Sequence, residues 1–222
     1  MSYSKDAEVG YQVRERLIDL GVETPFKSHH VPNRSKVNDL FTAFLEELGL
    51  DLQDDSIMDT PRRLTKLYLD EYCSGLDYGN FPKATVVENK MQVDEMVLER
   101  DISVRSLCEH HFLPIIGNAF VAYLPNQKVL GISKINRIVD FFSRRPQIQE
   151  RLTLQIYHAL SYLLETDNVA IIIQGEHMCV QTRGVEDPCS DTVTSKLGGK
   201  FKDGALRAEF ITLATAQFGT KK

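Results

Sequence analysis

The strongest constraint on the fold is a change of hydrophobic period part-way along the chain. Up to about residue 80, apolar residues recur every three or four positions, the spacing of a helix face; from about residue 84 they alternate or run together, as in strands. Val9, Val13, Leu17 and Leu20 form a first helical stripe that stops at Gly21, a residue suited to the left-handed C-cap conformation. Val37, Leu40, Phe41, Phe44, Leu45 and Leu48 form a second, ended by Gly49. In "DTPRRLTKLYLDEYCSG" Thr60 is expected as N-cap and Pro61 at the first helical position, with Leu64, Leu67 and Tyr68 facing inward and Cys73 packed at the end.

Beyond the switch, Val86 and Val87, then residues 96–108 and 118–124, predict strands, punctuated by Gly117 and the "LPNQ" turn. Ile135, Ile138, Val139 and Phe142 share one face of a helix that must end before Pro146. Ile148, Leu152, Ile156, Ala159, Leu160 and Leu163 stripe a longer helix over about residues 146–165. "NVAIIIQGEHMCVQTRG" reads as a strand, "TVTSKLGG" as an extended piece, and residues 205–217 as a last helix. The expectation is an α+β chain with a helical region over residues 1–80 and a strand, strand, helix, helix, strand, strand unit over residues 81–222. Long strands with nothing to close their sheet suggest association through sheet edges.

A chain of 222 residues can bury a proper core. Its net charge of -5 argues against a sequence-independent nucleic-acid binder, which needs a basic surface. The start, "MSYSKDAEVGYQVRERLIDLG", lacks the apolar segment of a secretory signal. The longest aliphatic run, residues 169–173, is too short to cross a bilayer. The expected location is the cytoplasm, with no membrane or nucleic-acid partner and with Cys73, Cys108, Cys179 and Cys189 kept reduced.

Reduced cysteines next to histidines direct attention to "SLCEHHFLP", where Cys108 precedes His110 and His111, and to "EHMC", where His177 precedes Cys179. In a continuous strand His177 and Cys179 would share a face, joined by Arg183 further on. If that face meets Cys108, two thiolates and one histidine make a Cys2His set with an open position, a catalytic zinc arrangement. Spacing does not choose between His110 and His111, and a closed, structural Cys2His2 site fits the same pattern. Two thiolates cancel the charge of Zn2+ and acidify bound water less than histidines do, so a catalyst of this kind needs proton carriers nearby. Surplus histidines titrating near neutrality fit that need. The other histidine pair, His29 and His30, has no cysteine near it and reads as exposed loop.

Two further clusters carry weaker signals. "GISKINR" puts Ser133, Lys134 and Arg137 at the first turn of a helix, where free N–H groups favour an anion. With Arg183 and Arg63 this becomes a candidate polyphosphate pocket. In "PQIQER", Gln149 and Glu150 open the long helix, and a carboxylate there can accept two N–H bonds from one edge of a heterocycle.

"CEHH", "GISK", "QER" and "HMCVQTRG", in this order, resemble the GTP cyclohydrolase I family, and the chain closely resembles its bacterial form. The likeness runs from about residue 51 to 210. It implies one zinc ion per subunit on Cys108, His111 and Cys179, with His110, His177 and Ser133 as catalytic residues. It also implies that Gln149 and Glu150 anchor guanine, and that Lys134, Arg137, Arg183 and a neighbouring subunit's Arg63 bind ribose and triphosphate. The implied reaction, the entry into folate and pterin synthesis, converts GTP and water to 7,8-dihydroneopterin triphosphate and formate. Zinc-activated water attacks C8 of guanine while histidines move protons. The implied fold is the tunnelling fold, a four-stranded antiparallel sheet backed by two helices, assembled into a toroidal decamer of two pentamers with sites at subunit interfaces. Cys189 and Lys196 depart from the family pattern. Two rival readings are a zinc-free relative with a cysteine nucleophile and a ring-shaped scaffold with structural zinc.

Overall fold

A computed structural model describes residues 3–27 and 30–216. The first helix, α1 (Ala7–Asp19), is capped by Asp6, whose carboxylate accepts from the Val9 N–H, and ends before Gly21 at φ 68°. α2 (Arg34–Glu47) is capped by Asn33 and runs out before Gly49 at φ 81°. α3 (Thr60–Lys66) takes Asp59, not Thr60, as its N-cap and continues into a π-helical turn over Leu67–Tyr72. α1 buries Val13 and Leu17, but α2 leaves Leu40, Phe44 and Leu48 more than half exposed. The second stripe read from the sequence is therefore real: Leu45 is buried and Phe41 stacks on Tyr68, while the other half of it faces outward.

The strands are β1 (Val86–Glu88), β2 (Val97–Cys108), β3 (Pro114–Tyr123), β4 (Lys128–Leu130), β5 (Pro146–Gln147), β6 (Val169–His177) and β7 (Thr192–Leu197). Four of them form an antiparallel sheet in the order β2, β3, β6, β7, and β5 adds a short parallel pairing to the end of β2. α4 (Ile132–Ser143) and α5 (Gln149–Leu164) cover one face. Ile135, Ile138, Val139 and Phe142 from α4 meet Val104, Val121, Ile171 and Ile173 from the sheet in one buried core. Each such side chain removed from water stabilises the fold by about 1.5–3 kcal/mol. At one end of the opposite face, α7 (Gly204–Thr215) packs Phe210 and Ala214 against Ala122, Ala170 and Phe201. The alternation of Val121 with Ala122 and of Ala170 with Ile171 follows from the two-residue period of a strand.

The structure corrects three local expectations. Pro146 and Gln147 lie outside the long helix, because they pair with Leu107 and Cys108. Gly117 is interior to β3, where a Cβ would lie 1.9 Å from the Gln174 carbonyl oxygen, so it marks close backbone approach and not a turn. The strand carrying His177 stops there and turns into the short helix α6 (Met178–Gln181). Cys179 and Arg183 therefore do not follow His177 along one strand face. The predicted end of the last helix, Gln217, lies outside the described residues, as does His29. Among the described residues no helix is long and apolar enough to cross a membrane.

Candidate metal centre

β2 and β3 are joined by a tight loop that carries both histidines of "CEHH". The Cys108 N–H donates to the Leu113 carbonyl and the Phe112 N–H to the Cys108 carbonyl, with Phe112 in the left-handed region at φ 54°. This turn brings His111 back over Cys108, as a straight strand could not. The base of the loop is held from the side, since the Glu109 N–H donates to the Gln147 carbonyl on β5. β6 ends opposite, with His177 in register with Ile115, and the turn into α6 places Cys179 against Cys108.

Donor atoms of Cys108, His111 and Cys179 all lie within 4.8 Å of one another. The two sulfurs are 3.6 Å apart, and Cys108 Sγ is 3.9 Å from His111 Nδ1. Tetrahedral coordination with metal–sulfur bonds of about 2.3 Å requires sulfurs about 3.8 Å apart, so the donor set fits a metal of that type. The chemistry of the set points the same way. Burial and then the adjacent Cys108 thiol push the Cys179 thiol upward, and a cation between the sulfurs would relieve that cost. His110 Nδ1 is equally 3.9 Å from Cys108 Sγ, but His110 does not join Cys179 in the cluster.

Polar groups surround this cluster. His177 Nε2 lies 2.9 Å from Gln149 Oε1, and burial lowers the His177 pKa, partly opposed by the charge of Glu150. Gln149 is buried at the start of α5, and Glu150 beside it is exposed. Arg183 Nη1 is 2.5 Å from His111 Nε2. The Glu109 carboxylate accepts from Arg151 Nη1 at 2.5 Å and stands 3.9 Å from His110 Nε2. The Glu109–Arg151 pair was not singled out in the sequence. Arg151 directly follows Glu150, and that adjacency was the available signal.

The remaining predicted residues lie elsewhere. α4 starts just after Leu130, whose N–H donates to the Tyr123 hydroxyl, and ends next to Pro146, which pairs with Leu107. It thus spans the sheet from the Tyr123 end to the Cys108 end, a length of about 18 Å for its 12 residues. Ser133 and Lys134, in its first turn, are at the end away from Cys108. Arg137, one turn on, stacks its guanidinium 5.4 Å from the Tyr3 ring centroid and lines a cavity of about 2120 Å³ beneath the N-terminal helices. Cys108, His111 and Cys179 do not line that cavity. Arg63 is exposed on α3, 3.9 Å from Asp59. Lys196 pairs with Ile171, well along β7 from the cluster, and lies over the Tyr157 ring. Cys189 is exposed on a loop.

Residues 37–215 match the GTP cyclohydrolase I family. The chain belongs to that family. A GTP cyclohydrolase 1 of Yersinia enterocolitica is 52% identical over 214 residues, covering 95% of this chain and 96% of the relative. Proteins of the same name from Citrobacter koseri and Escherichia coli are each 52% identical over 216 residues, with the same coverage. Membership accounts for the order of the motifs, and it places the Cys108, His111 and Cys179 cluster in a family of enzymes.

Proposed function

We propose that this chain converts GTP and water to 7,8-dihydroneopterin triphosphate and formate, using a zinc ion on Cys108, His111 and Cys179. The observation that carries the reading is the convergence of those three donors within 4.8 Å, beside a histidine, His177, held on Gln149. When bound, the metal supplies a Lewis acid that makes water nucleophilic near neutral pH. The residues of the chain do the rest. Glu150 and Gln149 hold the guanine edge, so that C8 is presented to water. His177, kept largely neutral by burial, is suited to pass a proton to and from N7. C8 leaves as formate after the second hydrolysis. His110, on the exposed side of the loop, assists opening of the ribose, and Ser133 assists the Amadori-type rearrangement that precedes ring closure.

The charges needed for the triphosphate are Arg183 beside the cluster, Lys134 and Arg137 on α4, and Arg63 on α3, whose π-helical continuation packs Tyr68 against Phe112. Because α4 carries Ser133 and Lys134 to the far end of the sheet, one chain does not gather the whole set. Neighbouring copies would supply it. Among the described residues, the free edge of β7, the mostly unpaired edge of β2 and the exposed apolar residues of α2 support an assembly of tunnelling-fold subunits, a decamer of two pentamers. In this reading residues 1–80 form the helical region that joins rings, residues 81–222 form the catalytic domain, and the enzyme works in the cytoplasm.

The test is to mix GTP with purified, zinc-loaded protein and follow formate together with the fluorescent oxidised pterin. His110→Ala and Cys179→Ser run in parallel. Formate and pterin from the unmodified protein, and little from either variant, is the expected result. Zinc-loaded protein that binds GTP yet releases no formate would overturn the proposal.

A further inference from the structure

The amide of Gln149 sits at the centre of a closed set of hydrogen bonds that fixes its direction. One of its two terminal atoms is 3.1 Å from the Ile173 carbonyl, 2.8 Å from the Thr192 carbonyl and 3.2 Å from Thr194 Oγ1. Two of those three neighbours are carbonyl oxygens, which only accept, so this atom is the amide nitrogen. The hydroxyls agree. Thr153 gives its proton to the Gln149 carbonyl at 2.9 Å, so in its 2.8 Å contact with Thr194 it must accept. Thr194 spends its own proton on Thr153 and can only accept from Gln149. The two N–H protons of Gln149 are shared among these three acceptors, and the other end of the amide, Oε1, is a pure acceptor.

That oxygen is the atom 2.9 Å from His177 Nε2. A bare ring nitrogen facing it would set two lone pairs against each other at a half-buried position, so Nε2 carries a proton. We infer that Gln149 is a positioning residue: through Oε1 it fixes His177 in the Nε2–H tautomer and in one ring orientation, leaving Nδ1 as the nitrogen that exchanges a proton with substrate. This rests on the reading of His177 as the proton carrier. In the transfer, bare Nδ1 first takes up the proton that the attacking water gives up; that N–H bond then breaks, its electron pair stays on Nδ1, and the proton goes to the substrate's ring nitrogen. The ring returns to its neutral Nε2–H form without releasing Gln149.

The surrounding backbone is shaped for this contact. A Cβ on Gly175 would lie 2.5 Å from Gln149 Oε1, so the glycine in the middle of β6 makes room for the oxygen. The Gln149 side chain is about 1% exposed and its polar atoms are engaged within the chain. Its share in holding guanine would then fall to its backbone and to Glu150.

Solid-state 15N spectra of zinc-loaded, full-length protein with ring-labelled histidine test the inference directly. The His177 resonances are those missing in His177→Asn. A protonated Nε2 and a bare Nδ1 are expected in the unmodified protein; a proton on Nδ1 overturns the inference whatever the activity. Gln149→Met, close in volume, and Gly175→Ala, which pushes Oε1 aside, should each mix the tautomers. Each should lower kcat by about tenfold or more with less than about a threefold change in KM for GTP. A raised KM with unchanged kcat would instead make the Gln149 side chain a substrate contact and overturn its positioning role. Should His177→Asn keep full formate release, His177 is not the proton carrier and the functional reading fails, while the tautomer result stands on its own.

Discussion

Arg183 donates to His111 Nε2 across 2.5 Å, one residue of the candidate metal set held by a residue proposed for phosphate. A guanidinium is always a donor, so Nε2 accepts and the ring proton is on Nδ1. A metal on Nε2 takes the lone pair that Arg183 uses. A metal on Nδ1 moves the proton to Nε2, which then cannot accept. Either way, metal loading releases Arg183 towards the substrate. Arg183→Ala should therefore bind zinc at least as tightly as the unmodified protein in a chelator competition. Its KM for GTP should rise by about 10- to 100-fold, the loss of a charge-assisted phosphate contact. Weaker zinc binding in the variant would contradict this.

The four cysteines should separate by reactivity. Burial pushes the Cys73 thiol up to about 11, so it stays protonated and slow, whereas Cys189 is exposed. With iodoacetamide near pH 8, mass spectrometry of zinc-loaded protein should find Cys189 modified first. Stripping the metal should add Cys179, which is partly exposed, ahead of the buried Cys108. Equal labelling of Cys179 before and after chelation would argue against its being a ligand.

The elements that the sequence predicted well are those whose burial is set by their own periodicity. Ile135, Ile138, Val139 and Phe142 face one sheet, and their spacing says so. The stops at Gly21 and Gly49 were equally local, since both glycines adopt positive φ. The features that were not legible depend on partners distant in sequence. β5 exists because Leu107 and Cys108 lie beside Pro146 and Gln147. The partners of the Gln149 amide come from β6 and β7. His111 joins the cluster, and His110 does not, because the loop reverses at Phe112, and neither spacing nor composition encodes that reversal.

Arg145 is another residue the sequence left unremarked, in "SRRPQ" among apparently solvated basic residues. It is completely buried, 3.3 Å from Glu23 and 3.1 Å from the Tyr78 hydroxyl, with its guanidinium over the Tyr78, Phe141 and Phe142 rings. Glu23 lies in the connection after α1, so the pair ties that connection to the strand that supports the Glu109 loop. Arg145→Ala would leave the Glu23 carboxylate without its cation and should cost about 3–5 kcal/mol in urea unfolding. Arg144→Ala, at a half-buried pair with Asp140, should cost about 1 kcal/mol or less.

Acid should weaken the fold through His158. Burial, then the positive charges of Lys196 and Arg16, lower its pKa below the ordinary 6.5. As pH falls past about 6.5, the unfolded chain binds a proton that the folded chain refuses, so stability drops with pH from there to the folded pKa. His177 shifts in the same direction by burial and adds to the slope. His158→Gln should flatten, without abolishing, the fall in urea midpoint between about pH 6.5 and 5. An unchanged slope would remove His158 as a source of the acid sensitivity.

Sites shared between copies make a prediction about mixtures. Cys179→Ser damages the cluster, and Lys134→Ala damages the helix turn that each copy carries at the far end of its sheet. If a working site takes Cys179 from one chain and Lys134 from its neighbour, the two inactive variants, unfolded and refolded together, can rebuild intact sites. Random mixing in equal amounts makes a site intact when both independent choices, each about one half, fall the right way, so about a quarter of the sites should work. Formate release by the mixture near that fraction, with each variant alone inactive, is the expected outcome. If both residues served one chain's own site, every chain would carry one defect and mixing would recover nothing.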